Sequence, residues 1–220
     1  MNTKLISKLL SAVFLSAGMI SAAHADVRIS EWMYNGDEFI EFSNMGSSAV
    51  DFTGWSFDDD SRTAGTVLLS AFGSVASGES VILAESSATS FRAAWGLANT
   101  VKVIGGNTTN LGRNDEINLY DNTGTLVDRL TYGDGTFPGT IRTQNISGRP
   151  GNVDALGANN VSLWVLSSNG DSAGSYVSTG AGGFIGNPGI APVPEPETYA
   201  LFLAGLGVMG AFARRRSVKA

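Results

Sequence analysis

Val27-Arg28-Ile29-Ser30-Glu31-Trp32-Met33-Tyr34, then Asn35-Gly36, then Asp37-Glu38-Phe39-Ile40-Glu41-Phe42: two β-rich runs separated by a turn pair. Asn and Gly both tolerate positive φ, so Asn-Gly between two such runs is the strongest short hairpin signal a sequence carries. The same pattern recurs where residues 115–120 and 126–132 bracket Asp121-Asn122-Thr123-Gly124, which predicts a second hairpin. Further short strands are expected at 49–52, 55–57, 66–69, 80–84, 101–104 and 161–166, the last of these being the final strand. Residues 89–95 suggest a short helix, with Phe91 and Trp95 four apart on one face. Many short strands divided by turns predict an all-β body, a sandwich or a barrel.

The two ends are of another kind. Lys4 and Lys8, an apolar stretch over 9–22 and Ala23-His24-Ala25 give a positive start, an apolar middle and an A-x-A site. Residues 1–25 therefore predict a secretory signal peptide cut after Ala25, with Ala23 and Ala25 as the small residues at the cut. At the other end Pro194-Glu195-Pro196-Glu197-Thr198 precede an apolar stretch over 199–213 and then Arg214-Arg215-Arg216. Fifteen helical residues span about 23 Å, short for a hydrocarbon core of about 30 Å. The three arginines form a membrane stop, and positive charge after a span argues for a cytoplasmic C-terminus.

That order resembles the PEP-CTERM sorting signal of Gram-negative bacteria over residues 194–217. The resemblance implies that Pro194, Glu195 and Pro196 are the sorting motif and that 199–213 is a transmembrane helix, a transient anchor in the inner membrane. It implies export by the Sec machinery and cutting near the motif by an exosortase. The cell surface or the extracellular space is then the destination.

Stripping both signals changes the charge. Without Lys4, Lys8, Arg214, Arg215, Arg216 and Lys219, eight basic residues remain; without Glu195 and Glu197, eighteen acidic ones remain, so the body stands near −10. Such a charge repels nucleic acid backbones, and no nucleic acid partner is expected. There is no cysteine, so the body stands on its core and not on disulfides. All six prolines lie at or beyond Pro138, which suggests a regular first part and a looser, turn-rich second part.

Several motifs carry a second resemblance. Ile29-Ser30-Glu31, Met33-Tyr34-Asn35 and Glu38-Phe39-Ile40-Glu41-Phe42 open it. Val50-Asp51-Phe52-Thr53-Gly54-Trp55-Ser56-Phe57 and Gly78-Glu79-Ser80-Val81-Ile82-Leu83-Ala84 continue it. Leu111-Gly112-Arg113-Asn114-Asp115-Glu116-Ile117-Asn118-Leu119-Tyr120-Asp121 and residues 124–133 close it. In this order they resemble the lamin tail domain, well over 27–135 and more loosely over 138–188. The resemblance implies an immunoglobulin-like β-sandwich acting as an interaction module. Gly36 stands where family members often have proline, which alters a loop more than the fold.

The expected domain order is signal peptide 1–25, sandwich 26–180, Gly/Pro-rich linker 181–193 and sorting signal 194–217. The body keeps no histidine, since His24 leaves with the signal peptide. Usual zinc sites and histidine-activated nucleophiles are thereby excluded. Lys102, the one lysine left, has no nucleophile motif beside it. No catalytic residues are expected, and the chain is read as a non-catalytic structural or interaction protein. Its partners would be extracellular polysaccharide, as in a biofilm matrix, or surface proteins.

Asp58-Asp59-Asp60 is the sharpest polar cluster. Loop aspartates can supply the oxygens that calcium wants, although their spacing lacks the D-x-[DN]-x-[DN]-G pattern. A calcium-dependent carbohydrate- or matrix-binding module is the alternative function, and an exposed tryptophan stacking on sugar would suit it. Trp55, Trp32 and Trp164 are expected in the core or half-buried. Glu31, Glu38 and Glu41 are expected to face solvent.

Overall fold

The computed structural model describes residues 26–133, 140–180 and 182–192. The expected signal-peptide site, the Pro194-Glu195-Pro196 motif, the apolar stretch 199–213 and Arg214-Arg215-Arg216 lie outside the described residues. Among the described residues no helix is long and apolar enough to cross a membrane.

In chain order the strands are β1 (Val27–Met33), β2 (Phe39–Asn44), β3 (Val50–Asp51), β4 (Ser56–Asp58), β5 (Val67–Leu68), β6 (Ser74–Val75) and β7 (Ser80–Ala84). After the helix α1 (Ala88–Trp95) come β8 (Val103–Ile104), β9 (Asn114–Tyr120), β10 (Leu126–Gly133), β11 (Gly148–Pro150), β12 (Trp164–Leu166), β13 (Tyr176–Val177) and β14 (Ile185–Gly186). A six-stranded sheet runs β12-β11-β1-β2-β7-β8 and a four-stranded sheet runs β10-β9-β4-β5. Two-stranded ribbons β3-β6 and β13-β14 complete the pairing.

Alternation explains the packing. Ile40 and Phe42 of β2 and Val81 and Leu83 of β7 point one way. Val27, Ile29 and Trp32 of β1 join them because an irregularity between Ile29 and Glu31 shifts the phase. They meet Phe57, Ile117, Leu119, Leu130 and Tyr132 of the smaller sheet in one core. The two sheets thus pack face to face as a β-sandwich.

Both hairpins form. The second turns at Gly124, with φ 79°. The first has a longer loop than Asn35-Gly36 alone. Asn35 forms a parallel bridge with Gln144, and its carbonyl accepts from the Asn145 amide at 2.8 Å. The turn residue is thereby drawn into pairing with the second part of the chain. The parallel β7–β8 pair needs a crossover, and α1 supplies it. Ser87 caps α1 by accepting from the Ser90 amide, and Gly96 ends it in the left-handed conformation.

The outer face of the six-stranded sheet is also covered. Met33, Phe39, Ile82 and Ala84 pack against Phe91 and Trp95 of α1, with Tyr176 and Phe184 alongside. This corrects the expectation for Glu31, Glu38 and Glu41, which are all buried. Glu31 and Glu41 face outward as expected, but a second layer lies on them; Glu38, just before β2, is instead buried against the Leu111 amide.

Part of that layer is the segment expected to be a linker. Residues 182–192 are not loose: β14 pairs antiparallel with β13, and Gly186 and Asn187 are buried. Phe184 packs on the outer cluster, and the Asn187 and Gly189 amides hold the segment to buried acceptors. Nor is the strand over 161–166 the final one: Val161–Leu163 is a short 3-10 turn, β12 follows, and β13 and β14 come later.

Candidate functional site

Glu31 and Glu41 stand opposite each other in the β1–β2 register. Both are sealed from solvent, at 2% and 0% exposure. Glu31 Oε1 accepts from the Ser147 hydroxyl and from the Asn187 amide, the latter at 2.8 Å. Glu41 Oε1 accepts from the Ser30 hydroxyl at 2.8 Å and the Ser43 hydroxyl at 3.4 Å; its Oε2 accepts from the Gly189 amide at 2.5 Å. Ser43 is linked in turn to Ser30 and Ser80, and Ser147 to Ser167. A web of serine hydroxyls therefore surrounds two carboxyl groups.

Charge is poorly balanced there. The Arg149 guanidinium acts on Glu31 only at a distance and is itself paired with Asp171 at 3.0 Å. Glu31 Oε2 and Asn187 Oδ1 are buried without a hydrogen-bond partner. Burial pushes both glutamates up, Glu31 to about 8 and Glu41 to about 7, and the Glu41 charge adds to the rise of Glu31. Glu38 sits apart, its Oε1 accepting from the Leu111 amide at 2.8 Å; burial lifts it to about 8.

In the Asp58-Asp59-Asp60 run, the Asp58 carboxylate turns onto its own loop. Asp58 Oδ1 accepts from the Ser61 hydroxyl at 2.8 Å and the Thr66 hydroxyl at 2.6 Å, and Oδ2 from the Thr63 amide at 3.1 Å. Burial pushes Asp58 up, but these bonds outweigh it and hold the group below its ordinary value. Its carboxylate is spent on shaping its own loop, while Asp60 is exposed. No group of three or more His, Cys, Asp or Glu that could hold a metal ion is present among the described residues. The four tryptophans, Trp32, Trp55, Trp95 and Trp164, are all buried, so none presents a face for stacking on sugar.

A surface network gathers at Glu116 on β9. Arg62 grips it with two bonds of 2.8 and 2.6 Å, and the Thr131 hydroxyl adds a third at 3.0 Å. The Arg62 bonds hold the Glu116 carboxyl down, to about 2, against the opposing effect of burial. A cleft of about 580 Å³ opens between β11 and the C-terminal segment, bordered by Arg149, Asn152, Val153, Asn187, Ile190 and Pro192.

The buried acid pair is what the sequence reading missed. The signal was present: two glutamates in register across a hairpin, each inside an otherwise apolar run, with serines beside both. Chemically the pair can hold a proton and receive backbone amides. It is closed to any substrate-sized molecule.

Residues 20–134, more than half of the chain, match the Lamin Tail Domain family. Residues 192–217 match the PEP-CTERM protein-sorting motif, which implies export and recognition by an exosortase. No curated protein and no solved structure matches. The family match covers β1 to β10, while β11, β12 and the C-terminal segment that complete the larger sheet and its cover lie beyond it. The chain belongs to the lamin tail domain family and carries a PEP-CTERM sorting motif at its C-terminal end.

Proposed function

We propose that the chain is an exported, non-catalytic interaction or structural module, immunoglobulin-like in fold, placed by an exosortase at the cell surface or in the extracellular polymer matrix. One observation carries the reading: the sorting motif begins at residue 192, three residues beyond Gly189, whose amide is held by Glu41. A packed sandwich runs directly into a sorting motif, with no further described domain between them. In this reading residues 1–25 are removed on export, Ala23 and Ala25 marking the cut. Residues 199–213 anchor the chain transiently, and Arg214, Arg215 and Arg216 stop it. Pro194, Glu195 and Pro196 mark the second cut. The acidic body suits a polar matrix or surface protein and repels nucleic acid. The calcium-dependent sugar-binding alternative finds no support in the self-satisfied Asp58 loop or the buried tryptophans.

Intact-mass spectrometry of the protein from membranes and from medium tests this. The expected product starts at Asp26 and ends between Pro194 and Thr198. A sole species still carrying Arg214, Arg215 and Arg216 would overturn it.

A further inference from the structure

The C-terminal segment lies across the acid pair like a strap. Asn187 donates its amide to Glu31 and Gly189 donates its amide to Glu41, so two amides of one short stretch bridge both carboxyl groups. The fit is close. A Cβ on Gly186 would stand 2.8 Å from Glu31 Oε1, 2.9 Å from Ser147 Oγ and 3.2 Å from the Trp95 ring. Among the described residues, two charged or titratable groups that interact with the pair lie on other strands. β11 contributes Arg149, paired with Asp171; β13 contributes Tyr176, whose hydroxyl donates to the Trp95 carbonyl at 2.7 Å. β1, β2 and β7 contribute the serines Ser30, Ser43 and Ser80, and residues 185–189 bring no titratable side chain.

We propose that Glu31 and Glu41 form a proton-sharing latch that fastens the strap, and with it the start of the sorting motif, to the body. Losing the shared proton to solvent leaves two repelling carboxylates under the strap and releases it. The latch itself does not depend on export; its bearing on sorting rests on the function proposed above.

Two adjacent carboxylates cannot both stay ionised cheaply where water is excluded. A proton on one of them removes the repulsion and gives the partnerless Glu31 Oε2 something to carry. With the strap off, both groups meet water and return toward the ordinary value of 4.5. Opening therefore releases protons. Each proton released makes opening about tenfold easier per pH unit, until the pH exceeds the docked values of about 7 and about 8.

The consequence is one of reach. With Gly189 docked, Pro194 lies five residues away, a tether of roughly 17 Å. Thr179 is the next residue back held to the helix, its amide donating to the Ala94 carbonyl at 2.8 Å. If the strap lifts as far as Thr179, the tether grows to fifteen residues, roughly 50 Å. The latch sets how far from the sandwich the motif can be cut.

Hydrogen exchange on the full chain in detergent, from pH 5 to 10 and corrected for intrinsic rates, tests the latch. Strap peptides over 185–190 should lose at least tenfold in protection per pH unit up to about pH 7 and level off above about pH 8. Peptides from β7 should stay protected, and Glu31→Gln should weaken the pH dependence of the strap, because only the Glu41 proton is then lost on opening. Strap protection independent of pH, the same loss in Glu31→Gln, or protection that follows added calcium instead of pH would overturn it. Should that variant not fold, carboxyl ¹³C NMR of the wild-type chain decides: two coupled titrations above pH 6 are expected, and all glutamates titrating at or below the ordinary carboxylate range would overturn the proposal. These readouts do not involve sorting, so the latch and the proposed function can fail separately.

Discussion

The rings of Trp32 and Tyr132 meet with centroids 3.9 Å apart and planes tilted by 32°. Trp32 comes from β1 of the larger sheet and Tyr132 from β10 of the smaller one, so this contact ties the sandwich together across its core. Tyr132 is further fixed by its hydroxyl, which donates to the Gly112 carbonyl at 3.0 Å. Trp32 is 0% exposed. Trp32→Ala should therefore cost about 3–5 kcal/mol. Trp32→Phe keeps a ring there and removes a buried indole N–H that has no partner, so it should cost clearly less. Urea denaturation of both variants checks the order; equal losses would mean that a ring retained at this position contributes nothing.

The Arg62–Glu116 pair gives an acid-side prediction. Glu116 is held to about 2, below its ordinary 4.5, first by Arg62. A depressed carboxyl contributes stability that is present above 4.5 and lost as the pH falls toward 2. Glu116→Gln should lower stability at pH 7 by roughly 1–2 kcal/mol, Arg62 being largely exposed, and have little effect near pH 2. Thermal melts of wild type and variant at the two pH values read this directly.

On the neutral and alkaline side the sign reverses. Burial raises Glu31, Glu38 and Glu41 as described, and Asp128 to about 6, its Oδ2 accepting from the Ile29 amide at 2.9 Å. A raised carboxyl contributes stability that is fully present below its unfolded value and lost as the pH rises through its folded value. The melting temperature should peak near pH 4.5 and fall by roughly 5–10 °C by pH 9. A flat profile from pH 6 to 9 would contradict the burial of these groups.

Metal removal should do nothing. Asp58 binds Ser61, Thr63 and Thr66 of its own loop, so neither calcium nor a chelator should move the melting temperature. Asp58→Ala should cost about 1–3 kcal/mol by orphaning those donors. Calorimetry with and without calcium checks both statements.

The first half of the fold was legible because its strands are written in side chains. Ile40 and Phe42, Val81 and Leu83, and Ile117 and Leu119 alternate into the core, and the Asn-Gly and Asp-Asn-Thr-Gly turns divide them. Phe91 and Trp95 marked the helix for the same reason. The later strands were not legible. Gly148 pairs with Trp32, and Gly186 with Tyr176, through backbone alone, and glycine leaves no alternation to count. The acid pair was missed because period-2 reasoning reports which face a residue occupies, not what lies on that face. The strap, itself unreadable, completes the layer that turns the outward side of Glu31 and Glu41 into an interior.

The amides that complete the surroundings of β1 belong to residues far along the chain. Asn187 donates to Glu31 across 156 positions, and Gly189 to Glu41 across 148. In the export proposed above, led by the N-terminus, the first strand reaches the outside long before those partners arrive. Its first hairpin must wait with two acids and an apolar face uncovered. Non-local pairing of this kind places folding in the slow, millisecond-to-second class and leaves the waiting chain open to aggregation. In that reading, maturation of the sandwich and arrival of the sorting motif at the membrane are nearly the same event in time.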